Sequence, residues 1–280
     1  MGGPASNSLF IKRLATSPGL ELAERLGYLV RGALYAVMGL LALSVALQVG
    51  PGKTTDLQGS LVFLTSNALG KAVLVVAIVG LIAYSIWGLV RAIYDPLRRG
   101  SDASGYLERF GFITSAVSYA LIVFFAIQLL AGSSSPASTS TQTQIANLLN
   151  HPGGGLLTIL VGLFTLGIGI GQFIEAYKAI FAKDLKAAQM TTDERKWAIR
   201  LGRFGMFARG IIFLIIGWFI LQAGLHNTPG VVQGFGGAFV FLLAQPYGRF
   251  LLGAVALGFI ALGLHSFACA RWIRLMGSAA

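Results

Sequence analysis

Six apolar stretches, at 32–49, 72–93, 110–131, 156–181, 206–223 and 250–272, dominate the chain, and none contains a proline. A helix needs about 20 apolar residues to cross the hydrocarbon core of a bilayer. All eight prolines fall outside the stretches, so the sequence encodes no proline kink within a span. The whole-chain balance agrees: 55% hydrophobic residues, 11% charged residues and a mean hydropathy of +0.75. A soluble domain carries about 25% charged residues, and this chain has too few polar groups to cover a globular surface. The expectation is an all-α, polytopic membrane protein with six transmembrane helices.

Charge placement then predicts orientation. Of the 21 basic residues, 18 fall at the N-terminus, in the second and fourth connections and at the C-terminus, leaving Lys53, Lys71 and Arg249 on the other side. By the positive-inside rule the richer side is cytoplasmic and both termini lie within it, as in a multi-pass protein of the bacterial inner (plasma) membrane. A net charge of +11 in a soluble protein would point to nucleic acid; here it is read as topology, and no nucleic-acid partner is expected. Nine of the ten acidic residues share the basic side, Asp56 being the exception.

The chain also repeats itself. Arg25, Gly27, Arg31 and Gly32 recur as Arg203, Gly205, Arg209 and Gly210, an offset of 178 that also aligns Gly39 with Gly217, Pro51 with Pro229 and Gly80 with Gly258. A middle copy fits at an offset of 84, where Arg109, Gly111 and Tyr119 match Arg25, Gly27 and Tyr35, and Gly154 matches Gly70. Two spans return the chain to its starting side, so the copies share one orientation and an axis along the membrane normal. The expected architecture is three tandem two-helix repeats in a pseudo-threefold arrangement, each copy supplying partners for its neighbours' small-residue faces.

Two motifs carry a family resemblance: the Gly27…Arg31-Gly32 start of a copy, repeated at Gly205…Arg209-Gly210, and the turn Gln245-Pro246-Tyr247-Gly248 that opens a second helix. The turn degenerates to His151-Pro152-Gly153-Gly154 and Asn67-Ala68-Leu69-Gly70, and the middle copy has Ser115-Ala116 for Arg-Gly. On these residues the chain resembles the bacterial membrane repeat called domain of unknown function 1206. The resemblance implies a fold and no established activity. The resulting division is a cytoplasmic segment 1–24, repeat 1 at 25–97, repeat 2 at 98–182, a linker 183–202 and repeat 3 with a short tail at 203–280.

Between the spans, Thr192 to Leu201 reads as a short amphipathic helix at the cytoplasmic interface, where anionic lipid is a candidate partner. Each outside loop carries an apolar piece before its second helix, at 61–64, 145–149 and 239–243, that suggests a short capping helix.

Polar residues within spans are functional candidates. Arg31, Arg91 and Arg209 fall in one layer near the cytoplasmic edge, with Glu175 as countercharge and Gln172 one turn before it. An anion or proton site and a topological anchor are both consistent with that layer. Gly167 and Gly171 make a GxxxG face expected to meet another helix closely. His265 and Cys269 share a helical face, yet no second in-span histidine exists, so haem or metal ligation is not expected and no cofactor is predicted. The single cysteine excludes an intrachain disulfide. No nucleophile–base pair is visible, which argues against an enzyme. Two functions remain: a non-catalytic structural or accessory subunit of a membrane complex, with other membrane subunits as partners, or a small-solute transporter or channel.

Overall fold

The computed structural model describes residues 18–49, 68–94 and 141–272, together with thirteen single positions between 106 and 131. Within them the chain is helical. Helix α1 runs over Pro18–Ala46, α2 over Ala68–Tyr94, α3 over Thr141–Leu149, α4 over Gly154–Lys178, α5 over Thr192–His226, α6 over Phe235–Leu243 and α7 over Gly248–Trp272. Four of these, α1, α4, α5 and α7, are long and apolar enough to cross a membrane. In α2 the apolar stretch Leu74–Ile86 is shorter. Half of the predicted span 110–131 lies outside the described residues.

Alternation of small and large residues sets the packing. A β-carbon on Gly39 of α1 would stand 2.8 Å from the Ala256 carbonyl and from Ile260 of α7, so the two backbones touch where glycine removes the side chain. Gly217 of α5 does the same against Leu166 of α4, at 2.8 Å. The neighbouring pair repeats the pattern: Gly32 faces Phe267 and the Gly263 carbonyl, while Gly210 faces Phe173 and the Gly169 carbonyl. Where the middle copy carries Ala116, the glycine is on the facing helix, and a β-carbon on Gly88 of α2 would lie 3.1 Å from the Ala116 Cβ. In each case the first helix of one copy packs on the second helix of another.

Within a copy, Gly27 meets Tyr84 and the Gly80 carbonyl, as Gly205 meets Leu262, and Gly80 and Gly258 receive α1 and α5 in turn. One buried apolar cluster then joins Tyr35, Met38, Ala42 and Ala46 of α1 to Ile212, Ile216 and Ile220 of α5, Phe259 of α7 and Phe239 of α6. A second holds Val30 and Leu34 against Leu74, Ile78 and Leu81 of α2 and Tyr119, Val123 and Ala126 of the middle copy.

The short helices expected before the second and third copies' second helices are α3 and α6, and the first copy's counterpart lies outside the described residues. Each ends in the same left-handed turn. Gly153 takes φ +78 ahead of α4, and at the equivalent position ahead of α7 the non-glycine Tyr247 takes φ 59. A β-carbon on Gly154 or Gly248 would collide with the carbonyl of Leu148 or Leu243, which is why glycine ends both motifs.

The linker departs from expectation. Thr192 does not open a separate interfacial helix: α5 is continuous for 35 residues, and the amphipathic segment is its first turns. At about 1.5 Å per residue that is roughly 52 Å, well beyond one bilayer core. A capping box starts it, with the Glu194 N–H donating to Thr191 Oγ1 at 3.2 Å and the Thr191 N–H donating to Glu194 Oε2 at 2.8 Å. Upstream, the chain is packed against the bundle end. Leu185 is buried with Tyr28, Ala198 and Cys269, and the Lys186 N–H donates to the Trp272 carbonyl at 2.7 Å.

Candidate functional site

The layer predicted around Arg31 and Arg209 is partly assembled. Both residues stand four positions before an aromatic residue on their own helix, the spacing that brings side chains together on one face. The Arg31 guanidinium lies 5.5 Å from the Tyr35 ring centroid, and the Arg209 guanidinium lies 5.9 Å from the same ring and 5.2 Å from that of Phe213. Both cations therefore lie against the one Tyr35 ring, whose hydroxyl is also in polar contact with Tyr119. Tyr119 stacks edge-on against Tyr84 at 5.0 Å, and Tyr84 against Tyr28 at 5.8 Å, which walls the cluster with aromatic rings. Both arginines are half-buried overall. Their Nε atoms are sealed from solvent and have no hydrogen-bond partner among the described residues.

Gly32 and Gly210 explain the placement. Each packs its bare backbone onto a second helix, so the arginine one residue earlier, about 100° round the helix, points to a different face. There it meets Tyr35 and not the second helix that the glycine contacts.

Other members of the layer sit elsewhere. Gln172 Nε2 donates to Glu175 Oε2 at 3.5 Å, while Gln172 Oε1 is buried without a partner among the described residues. The Arg91 side chain lies outside the described residues. Gly167 and Gly171 correct the expectation of a close helix contact: both are exposed, and a β-carbon on either would meet nothing within 4 Å among the described residues. The approach to α5 is made instead by Gly162 and Gly169, which face Leu221 and Leu214. A GxxxG spacing marks a smooth face, but the neighbouring helices decide which of several smooth faces is used.

His265 is buried in a separate place. Its Nδ1 is 2.9 Å from the Ala198 carbonyl, an atom that only accepts, so the proton sits on Nδ1 and Nε2 is the acceptor. Cys269 Sγ lies 3.4 Å from Nε2 and is the available donor. Phe181 meets the imidazole edge-on at 4.7 Å, and Gly202 makes room for both rings. With both ring nitrogens engaged by the protein, the histidine is held as a packing and hydrogen-bonding residue. Among the described residues no three His, Cys, Asp or Glu side chains are grouped to hold a metal ion.

Sequence reasoning missed a second set of arginines. Arg25 Nη1 donates to the carbonyls of Ala270 and Arg271, Arg109 to those of Ala92 and Ile93, and Arg203 Nη2 to that of Tyr177. The last carbonyls of a helix lack intrahelical donors and carry the negative end of its dipole, and a guanidinium satisfies both. The signal was present, since the offsets of 84 and 178 align these three residues. Without helix ends to place them against, the three stand in the sequence as markers of the repeat and of orientation.

Toward the opposite end from these caps, a broad cavity of about 870 Å³ is lined by Val45, Gln48, Leu243, Tyr247, Arg249 and Phe250. Gln48 stands just past the C-terminal end of α1.

The comparisons with known proteins agree with the internal repeat. The model of the family described as Domain of Unknown Function (DUF1206) matches three times, over residues 26–95, 110–179 and 204–272. A Bacillus subtilis (strain 168) protein, described as uncharacterized protein YxxB, is 33% identical over 251 residues, covering 90% of each chain. No solved structure matches. With three matches in tandem and a relative similar along nine-tenths of its length, the chain belongs to the DUF1206 family.

Proposed function

We propose that this protein is a non-catalytic structural or accessory subunit of a complex in the bacterial inner membrane. In this reading six helices cross the bilayer as three two-helix repeats around a pseudo-threefold axis, with both termini in the cytoplasm. The repeat-related contacts support the ring: Gly39 with Ile260, Gly217 with Leu166 and Ala116 with Gly88 are the same contact between successive copies. The arginine caps support it again, and Arg25 on Ala270 and Arg271 closes copy 1 onto copy 3. The distribution of 18 basic residues on one side supports the orientation.

The observation that carries the functional reading is the apolar filling between α1 and α5. Met38, Ala42, Ile212, Ile216 and Ile220 form one buried cluster through the interior, with exposures of 0–6%. Among the described residues, such layers leave no polar path between α1 and α5. The deciding experiment is purification of the tagged protein from its native membrane at endogenous level, with identification of co-purifying subunits. A stoichiometric partner is the expected result; recovery of the chain alone counts against an accessory role.

The competing reading, a small-solute transporter or channel, draws on the half-buried Arg31 and Arg209. Liposomes reconstituted with the purified chain distinguish the two, since a protein-dependent solute flux would replace the accessory reading with transport.

A further inference from the structure

We propose that Arg31 and Arg209, together with the Tyr35 hydroxyl, form a binding site for one phosphate group. Two guanidinium groups within 6 Å of a single ring centroid repel one another, and the interior of an apolar bundle screens that repulsion weakly. The aromatic faces of Tyr35 and Phe213 answer the flat sides of the cations. They do not answer the Nε–H of either arginine. The Nε of each arginine is out of reach of solvent and unpartnered among the described residues, a position that costs free energy unless an acceptor fills it.

The acceptor that fits is a tetrahedral oxyanion. A guanidinium offers its donors in a planar fork that matches phosphate oxygens two at a time, and two such forks match an anion with several acceptor oxygens. The phenol of Tyr35, already in contact with Arg31, is placed to donate as well. The equivalent position of the middle copy is Ser115, so the cluster carries two positive charges and not three, in keeping with a phosphate of charge −1 to about −2. Arg31 lies six residues beyond the Arg25 cap, about 9 Å into the bundle from the end that carries the caps. A phospholipid headgroup and free inorganic phosphate present the same chemistry at that depth.

The test uses the full chain, delipidated in dodecyl maltoside, a detergent without phosphate. One arm titrates inorganic phosphate; the other titrates phosphatidylglycerol. Binding is read by native mass spectrometry and by the thermal midpoint. One of the two ligands is expected to bind at one per chain and raise the midpoint, at least tenfold more weakly in Arg31→Gln and in Arg209→Gln, and unchanged in the surface control Lys71→Gln. Response to phosphate identifies a free anion, and response to phosphatidylglycerol alone identifies a lipid headgroup. The proposal is overturned when neither ligand binds, or when both bind the glutamine variants as tightly as the parent. Should those variants not fold, the Nε–H resonances of ¹⁵N-arginine in the unaltered protein decide: two protected signals shift on saturation, and their failure to move rejects the site.

Discussion

Arg25 and Ala270, 245 residues apart, are joined by a hydrogen bond of 2.9 Å from Nη1 to the carbonyl oxygen, and this contact ties the start of the first copy to the end of the last. The same guanidinium reaches Arg271 at 3.0 Å. Bonds from a charged donor contribute about 1.5–3 kcal/mol when buried, and less where solvent competes. We expect Arg25→Gln to destabilise the protein by about 1–2 kcal/mol, near the lower part of that range. Arg203→Gln, which loses Tyr177 at a different interface, should add to it almost independently. Thermal unfolding in detergent, followed by circular dichroism, measures both. A double variant as stable as the parent would remove the capping role.

Glycines that look alike in sequence should respond in opposite directions. Gly39→Ala forces a β-carbon to within 2.8 Å of the Ala256 carbonyl, and overpacking of this kind costs about 1–3 kcal/mol. Gly167→Ala meets nothing within 4 Å and gains helix propensity of about 0.5–1 kcal/mol. The expected order of thermal midpoints is Gly167→Ala, parent, Gly39→Ala.

At the turn before each second helix, one backbone conformation is served by two residue types. Tyr247, at φ 59, occupies the left-handed region that disfavours a side chain, so Tyr247→Gly should relieve about 1 kcal/mol of strain. Gly153→Ala, at φ +78, should lose about as much. Tyr247 is almost fully exposed, at 87%, so little packing is lost with its ring. Paired midpoints for the two variants measure the difference. Equal shifts would deny that the turns are equivalent.

The start of α5 offers a further measurement. Thr191→Ala removes the acceptor for the Glu194 N–H, a change that costs about 1 kcal/mol at a helix N-terminus. Because the capped segment is continuous with the apolar part of the helix, fraying should extend from Thr192 inward. Hydrogen exchange over the first turns reports it. Protection unchanged from the parent would make the capping box dispensable.

Much of this molecule is legible without coordinates. Apolar block length sets helices of membrane-crossing size, since a bilayer fixes the length and an apolar solvent forbids unpaired backbone. The offsets of 84 and 178 reveal the tandem copies because each copy solves the same packing problem with the same small residues. Partner choice is not carried that way. Gly162, Gly167, Gly169 and Gly171 all leave smooth faces on α4, and only the position of α5 decides that Gly162 and Gly169 are covered. Likewise the alignment of Arg25, Arg109 and Arg203 is a sequence fact, but their role as caps needs the carbonyls of helices 16 to 246 residues away in the chain. Arg31 and Arg209 could be read as one layer, whereas their common approach to the Tyr35 ring follows from α1 and α5 facing one buried cluster. Periodicity along one helix is a local property that sequence records. Contact between helices is a property of pairs, and only the tertiary structure decides it.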